Sequence, residues 1–147
     1  MIAVDSNILV HAHRADSSWH APARGRVGAL AMGNAAWAIP WPCVHEFTNI
    51  VTHPKIYSPP STIEQAVDQL DAWLESPSLV MVGESANYWS TLRAELLRAR
   101  ITGPKVHDAR IAAICLDHGV VELWTADRDF SRFPALRTVN PLVSAEL

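Results

Sequence analysis

The stretch "IAVDSNILVHAHR", Ile2 to Arg14, indicates the fold at the very start of the chain. Its first three residues are short and apolar, as in a buried strand, and they lead straight into Asp5, Ser6 and Asn7. These residue types are favoured at the N-cap of a helix. A strand is therefore predicted to pass directly into a helix that carries "ILVHAHR", with an acidic side chain at the junction.

The same alternation of short apolar runs and helical patterns continues along the chain. Further strands are predicted at 37–40, 79–82 and 121–125, with a weak fifth at 137–139. Helices are predicted at 20–33, from Pro42 to Val51, from Ile63 to a stop before Pro77, from about 84 to 100, and from about 107 to a stop at Gly119. Strands that alternate with helices imply an α/β domain on a parallel sheet. We expect one domain over residues 1–147, with a central sheet of about five short strands flanked by helices.

A capping signal and a proline-rich segment mark the middle of the chain. The segment "THPKIYSPPS", residues 52–61, is predicted to be a long loop. Ser61 and Glu64 form the S-x-x-E pattern of a capping box. This pattern predicts that the helix through Ile63 begins at Ser61.

Composition restricts the class of protein. The 147 residues are 49% hydrophobic and 18% charged, which is typical of a globular domain with one sizeable core. The net charge of −3 gives no basic footprint of a dedicated DNA-binding domain, although it leaves a nucleic-acid substrate open. Two separated cysteines suit a reducing cytosol. With no signal-peptide pattern and no membrane-length apolar run, we expect a cytoplasmic protein without a membrane partner.

Acidic residues stand where the predicted strands end or helices begin. Asp5 ends the first strand, Asp127 and Asp129 follow the fourth, and Asp108 lies in the first turn of a helix. Glu46 lies on the helix after the second strand, beside its apolar stripe. Ligands of parallel α/β sheets gather outside the carboxyl ends of the strands. Together these carboxylates suit Mg²⁺ or Mn²⁺, which would activate water and stabilise charge on a phosphate.

Each acid also has a simpler interpretation when it is taken alone. Asp5 suits an N-cap, and Asp108 suits the positive end of a helix dipole. Asp127 and Asp129 suit a turn, and Glu46 suits a solvated edge. A zinc site is not favoured, because the histidines and cysteines lack the spacing of zinc ligands.

Four blocks of sequence resemble one family, the PIN-domain ribonucleases, and especially the VapC-type toxins of bacterial toxin–antitoxin pairs. The blocks are "VDSNILV" at the start, "HEF" around Glu46, "HDARIAAICLDHG" from His107 and "LWTADRDFSRFPAL" from Leu123. They follow the family's order and spacing from residue 1 to about Val139. Any one block would be a weak signal, whereas four in order are specific.

The resemblance implies a metal-dependent endoribonuclease that is the toxic member of a type II pair. Asp5, Glu46, Asp108 and Asp127 would be the catalytic and metal-binding acids, with Mg²⁺ or Mn²⁺ as the cofactor. Asn7 and Thr125 match supporting polar positions, and Asp129 matches a second acid with a structural or indirect role. The implied partners are an RNA substrate, with tRNA or rRNA expected, and a cognate VapB-type antitoxin.

Two further partner predictions concern charge and apolar surface. Arg14, Arg24, Arg26 and Lys105 are candidates for RNA phosphate contacts, although solvated faces are the default for such residues. The apolar helices at 63–74 and 88–97 offer more apolar surface than one small core needs, and the resemblance also points to a homodimer.

Two rival functions stay open at this point. A haloacid-dehalogenase-like phosphatase would use Asp5 as its nucleophile, but that chemistry usually wants a second Asp where Asn7 stands. A non-catalytic RNA-binding module with the same fold is the other rival, and it would have no need for so many acids in one place. Metal-dependent RNA cleavage separates the three functions.

Overall fold

A parallel sheet of five strands forms the centre of the computed structural model, which describes residues 1–143. The strands are β1 (Ile2–Val4), β2 (Trp37–Pro40), β3 (Leu79–Val82), β4 (Glu122–Trp124) and β5 (Thr138–Val139). Their order across the sheet is β3-β2-β1-β4-β5, and each pair of neighbours runs parallel. The predicted α/β fold with a central parallel sheet is confirmed.

Six α-helices connect these strands within the described residues. They are α1 (Ser6–His13), α2 (His20–Met32), α3 (Trp41–Val51), α4 (Ile63–Leu74), α5 (Tyr88–Ala99) and α6 (Val106–Asp117). Two short 3₁₀ turns, at Gly103–Lys105 and Arg128–Arg132, precede α6 and follow β4. Along residues 1–143, every helix is too short or too polar to cross a membrane.

Local sequence accounts for several of these boundaries. Pro42 lies in the first turn of α3, where the N–H group that proline lacks has no helical partner in any case. Gly119 follows α6 with a φ of +67°, a left-handed conformation that glycine adopts without strain. Both signals were predicted from the sequence, and both are confirmed.

Two predicted helix starts are wrong. The capping box forms one residue later than predicted: the Thr62 hydroxyl accepts from the Gln65 N–H at 3.1 Å, and the Gln65 side chain accepts from the Thr62 N–H at 2.9 Å. Ser61 is unavailable because its buried hydroxyl is hydrogen bonded to His13 at 2.9 Å. Helix α5 begins at Tyr88 rather than near residue 84, because the preceding residues are used by contacts with α6.

Those contacts tie the segment before α5 to α6. Glu84 accepts two hydrogen bonds from Arg110, at 2.5 and 2.8 Å. Ser85 donates its hydroxyl to Asp117 at 2.8 Å. The segment is therefore held by side-chain bonds to a neighbouring helix and does not extend α5.

Strands β1 and β4 are adjacent and are buried at the centre of the sheet. Ala3, Val4 and Leu123 are completely buried, and parallel strands covered in this way are typical of α/β domains. In the register between the two strands, Val4 is paired with Trp124. The Asp5 N–H donates to the Trp124 carbonyl at 2.9 Å, which fixes the residues that follow both strands side by side.

Candidate metal and catalytic centre

Asp5 is the most deeply buried acid of the centre, with 3% of its surface exposed. It caps α1, and its Oδ1 accepts from the Ser6 N–H at 2.7 Å. Its Oδ2 accepts from the Thr125 hydroxyl at 2.8 Å and from the Asn7 amide at 3.1 Å. The Cys43 thiol lies 3.5 Å from Oδ1. Both carboxylate oxygens are therefore held by donors from the segments that follow the first, second and fourth strands.

Burial disfavours the charged form of Asp5 and raises its pKa from 3.8 to about 6. Hydrogen bonds from Thr125 and Ser6 oppose this change, and the nearby Glu46 carboxylate adds to it. The Asp5 carboxylate at neutral pH is thus destabilised by its surroundings. A cation bound beside it would offset that cost.

Glu46 reaches the same place from α3, the helix that begins where β2 ends. Its Oε2 accepts from the Ser6 hydroxyl at 2.7 Å, so Ser6 links the two carboxylates of Asp5 and Glu46. Carboxylate oxygens of these two residues and the Cys43 sulfur all lie within 4.8 Å of one another. We call Asp5 and Glu46 the inner acids.

A second group consists of Asp108, Asp127 and Asp129, which we call the outer acids. One carboxylate oxygen from each lies within 4.8 Å of the others, and all three residues are partly exposed. Lys105 forms an ion pair with Asp129 at the edge of the group. Like Asp5, Asp108 has a raised pKa, first because of burial and then because of the Asp127 carboxylate.

The segment after β4 holds Asp127 and Asp129 in a tight turn. The Asp127 N–H donates to the Thr125 hydroxyl at 3.0 Å, and Asp127 Oδ1 accepts from the Asp129 N–H at 2.9 Å. Asp127 is therefore both a turn residue and a member of the acidic group. In the same way Asp5 is both an N-cap and an inner acid, so a capping role does not exclude a place in the acidic group.

Asn7 and Thr125 join the two strand ends on which the centre is built. The Asn7 amide donates to the Thr125 hydroxyl at 3.2 Å, and the Asn7 carbonyl oxygen accepts from the Ala126 N–H at 3.0 Å. Thr125 in turn contacts Asp5 and Asp127. Both residues therefore contact the acids, and their supporting role in catalysis stays a prediction.

Inner and outer acids are close enough to act on each other. The Glu46 carboxylate contributes to the raised pKa of both Asp5 and Asp108. The donor set is almost entirely carboxylate oxygen, which suits a hard cation such as Mg²⁺ or Mn²⁺. The Cys43 thiol has a pKa raised well above its usual value by burial and by the two inner acids, so it stays protonated and is a poor ligand.

The four basic residues predicted to bind RNA lie in different places. Lys105 lies against the outer acids. Arg14 lies at the opposite end of α1 from Asp5, about 14 Å along the helix, and its side chain is 11% exposed. Its guanidinium pairs with Asp16 at 2.6 Å and stacks on Tyr57 with its carbon 4.2 Å from the ring centre. The Arg14 guanidinium is therefore occupied by contacts within the protein.

Arg24 and Arg26 lie on α2, away from the acids in the fold. Arg24 is exposed and lines a hollow together with His13, the last residue of α1, and His20. Within residues 1–143, neither arginine forms an ion pair with an acid of the centre. Of the four predicted basic residues, Lys105 is thus the one that the structure brings to the acids.

Sequence reasoning missed Ser6 and Cys43 as contacts of the inner acids. Ser6 stands between two predicted site residues but was interpreted only as a cap-forming residue. Cys43 precedes Glu46 by three positions, and that spacing places two residues on one face of a helix. Spacing therefore offered a signal for Cys43. The bond from Ser6 to Glu46 joins residues 40 positions apart and had no local signal.

In the part of the chain that the structure describes, the histidines lie outside the acidic groups. His11 is hydrogen bonded to Ser17 at 2.6 Å, and His13 to Gln69 and Ser61. Neither metal-compatible group found along residues 1–143 contains a histidine.

Comparison with known proteins places the chain in a family. Residues 2–136 match the PIN domain family. The chain is 30% identical over 137 residues to Ribonuclease VapC48 of Mycobacterium tuberculosis, covering 93% of this chain and 94% of that protein. It is 32% identical over 142 residues to Ribonuclease VapC43 of the same organism, covering 97% and 96%.

Solved structures agree with this placement. VapBC2 from Rickettsia felis, bound to a DNA fragment from their promoter, has a chain that aligns with a TM-score of 0.65 and 26% identity, covering 95% of this chain and 98% of that one. Mycobacterium tuberculosis VapC20, a Sarcin-Ricin loop cleaving toxin, shares the fold with a TM-score of 0.65 at 17% identity, covering 89% and 93%. The chain belongs to the PIN domain family and, within it, to the VapC ribonucleases.

Proposed function

We propose, with membership of the PIN domain family as the premise, that the protein is a metal-dependent endoribonuclease and the toxin of a toxin–antitoxin pair. One observation carries the proposal. Four acids from four separate segments form two adjacent groups beside the ends of β1 and β4: Asp5 with Glu46, and Asp108 with Asp127. Thr125 contacts both groups, and Glu46 acts electrostatically on Asp108. The ribonuclease relatives support RNA as the substrate class.

The inner and outer acids would together hold Mg²⁺ or Mn²⁺. When bound, such an ion lowers the pKa of water and stabilises negative charge on a phosphodiester. The chain's own contribution is orientation: Thr125 and Asn7 hold Asp5, and Ser6 holds Glu46. Fixed donors of this kind keep ligand oxygens in place before substrate arrives, and their loss typically weakens metal sites.

The rival functions find less support in the geometry. A phosphatase that used Asp5 as its nucleophile would need an acid–base group two residues on, to protonate the leaving group and then activate water. Asn7, at the position where an acid–base Asp was wanted, donates to the Asp5 carboxylate. A non-catalytic module would gain nothing from burying Asp5 beside Glu46 at the expense of its stability.

A cognate antitoxin is the proposed protein partner, supported by the VapBC complexes among the structural relatives. An arginine from such a partner can meet two carboxylates at once and would neutralise the outer acids. We expect a small protein encoded beside this one to restore growth when it is co-expressed. A purified complex that cleaves RNA as fast as the free toxin at saturating Mg²⁺ would contradict this partner's role.

A cytoplasmic location of the protein stays a prediction.

A homodimer is also proposed, from exposed apolar side chains on two helices. Ile63, Val67 and Leu74 are exposed on α4, and Trp89 and Leu97 on α5. Large exposed apolar patches mark interfaces more often than they mark free surface. Light scattering should give twice the 16.2 kDa mass of one chain at micromolar concentration. A species of 16.2 kDa alone would count against the dimer.

Cleavage of RNA by the purified protein tests the proposed function directly. Total cellular RNA is incubated with the protein in EDTA, in Mg²⁺ or in Mn²⁺, and the new 5′ ends are mapped by sequencing. We expect discrete cuts that need the added metal, with tRNA or rRNA among the targets. Equal cleavage in EDTA would rule out metal dependence, and intact RNA in all three conditions would rule out the nuclease.

A further inference from the structure

Lys105 is placed at the outer acids by a specific backbone turn. It ends the 3₁₀ turn Gly103–Lys105, which leads directly into α6. Gly103 has a φ of +61°, in the left-handed region where a side chain is strained. The turn sets Lys105 three positions before Asp108 and against Asp129, the acid with which its ammonium pairs.

The charges around Lys105 do not balance. Three carboxylates with oxygens within 4.8 Å of one another face one ammonium, and this is the one ion pair that the outer acids make within residues 1–143. Lys105 also opposes the rise in the pKa of Asp108 that burial and Asp127 cause. Its charge therefore acts on Asp108 as well as on Asp129.

The ion pair is exposed enough to break easily. The side chains of Lys105 and Asp129 are 37% and 44% exposed. Pairs exposed to this extent contribute little to stability because water and salt screen them. A lysine side chain is also long and flexible, so its ammonium can reach a new partner without a change in the backbone.

We infer that Lys105 is an exchangeable counter-ion of the outer acids, which pairs with Asp129 in the ion-free protein and with a phosphate of the RNA once a divalent ion is bound. This inference rests on the proposed function. An ammonium and a divalent cation repel each other when both lie among the same carboxylates. The repulsion displaces the ammonium toward solvent, where the nearest new anion is the substrate backbone.

Binding of Mn²⁺ without RNA tests the first half of the exchange. Isothermal titration calorimetry at low salt compares the wild type with Lys105→Met, which keeps the length of the side chain and removes its charge. We expect Lys105→Met to bind Mn²⁺ roughly tenfold more tightly, because one competing charge is gone. Binding that is unchanged or weaker would overturn the inference.

Arg137→Met is the matched control for that measurement. Arg137 is a surface cation whose Nε lies 3.5 Å from Glu122, and Glu122 is at the opposite end of β4 from Asp127. The Arg137→Met variant also loses one positive charge, but that charge lies away from the acids. We expect its Mn²⁺ affinity to equal that of the wild type. A tightening as large as that of Lys105→Met would assign the effect to net charge and overturn the inference.

Cleavage kinetics test the second half of the exchange. At saturating Mn²⁺, Lys105→Met should raise KM for RNA and leave kcat nearly unchanged, and Lys105→Arg should restore KM. The slope of RNA affinity against salt should fall by about one counter-ion. A purely structural role would weaken metal binding and lower kcat together, and an unchanged KM would overturn the exchange with phosphate.

Failure of this inference is distinguishable from failure of the proposed function. A wild-type protein that binds Mn²⁺ and cleaves RNA, beside a Lys105→Met variant that binds Mn²⁺ no more tightly, overturns the role of Lys105 alone. If neither protein binds Mn²⁺ or cleaves RNA, the proposed function falls and the role of Lys105 falls with it.

Discussion

The inner acids and the outer acids lie in one centre but are stabilised by different means. Asp5 is buried and accepts hydrogen bonds from neutral groups on Ser6, Asn7 and Thr125. Asp129 is 44% exposed and is balanced by a charged side chain. The inner acids therefore depend on fixed dipoles, and the outer acids on a cation that solvent and salt can reach.

Because of this difference, the inner and outer acids would contribute to ion binding in different ways. Fixed dipoles need no rearrangement when a cation arrives, so the inner acids are preorganised. The outer acids exchange one cation for another, so their affinity depends on salt and on the identity of nearby charges. Mutations in the two groups should accordingly change the stability of the ion-free protein in different ways, and these differences can be measured.

The largest expected effect is loss of cleavage in Asp5→Asn and in Asp108→Asn, one variant from each group. Each substitution removes a ligand charge with little change in volume. Because metal ions supply several kcal/mol of transition-state stabilisation, RNA cleavage should fall by at least about a thousandfold. Growth inhibition on expression should disappear with it. An Asp108→Asn protein that cleaves at the wild-type rate would remove that residue from the site.

Melting curves of the same two variants separate loss of chemistry from loss of fold. Both should keep the fold, and the ion-free Asp108→Asn protein should melt above the wild type because repulsion from Asp127 is removed. Asp5→Asn should gain more at neutral pH, because burial makes the charged form of Asp5 costly there. Equal gains in both variants would contradict the division into two groups.

The next effect is that Asp5 makes the stability of the metal-free protein depend on pH. Its pKa rises from 3.8 to about 6 on folding, so its contribution is fully present below pH 3.8 and is lost as the pH rises through 6. The loss amounts to about 3 kcal/mol. Urea unfolding in EDTA should show the wild type losing this amount relative to Asp5→Asn between about pH 4 and pH 7. A constant or growing advantage of the wild type would contradict the assignment.

A smaller effect is expected from Thr125→Val, which removes the hydroxyl that joins the two strand ends. Asp5 loses a donor, and the N–H of Asp127 loses its acceptor. Loss of supporting contacts of this kind typically lowers metal affinity or activity by about 10- to 100-fold. Thr125→Ser is the control, since it keeps the hydroxyl and should retain most of the activity. If Thr125→Ser loses more activity than Thr125→Val, the methyl group matters more than the hydroxyl, and Thr125 acts through packing.

The smallest effect is expected from Cys43→Ser. The thiol is a weak donor 3.5 Å from Asp5, and a hydroxyl is a stronger one. The substitution should lower the pKa of Asp5 and move its stability profile to lower pH, while cleavage changes by less than about threefold. Urea unfolding across the same pH range checks the shift. An unmoved profile would show that Cys43 acts only by filling space.

The fold was predictable because its signals are local. Short apolar runs, Pro42 and Gly119 each specify their own segment, and the structure confirms the elements built on them. The errors fall where a distant contact overrides a local pattern. Ser61 fits the capping pattern, but His13 claims its hydroxyl, and the helix at Tyr88 starts late because Glu84 is bound to Arg110.

The candidate site was predictable in its acids more than in its supporting contacts. Strand ends of a parallel sheet meet at one edge, so the position of Asp5 could be argued from topology alone. The use of Arg14 could not be predicted, since its partners Tyr57 and Asp16 come from loops whose path no pattern specifies. The place of Lys105 likewise depends on a turn at Gly103 that spacing does not reveal.

The bond between Asn7 and Thr125 has a consequence for the order of events during synthesis. It joins residues 118 positions apart, and Asp5 accepts from Thr125 across 120. A ribosome that is making this chain therefore releases a segment with Asp5 long before its partners exist. The centre closes only after Thr125 and Asp127 have left the exit tunnel, so an incomplete chain lacks the assembled set of acids.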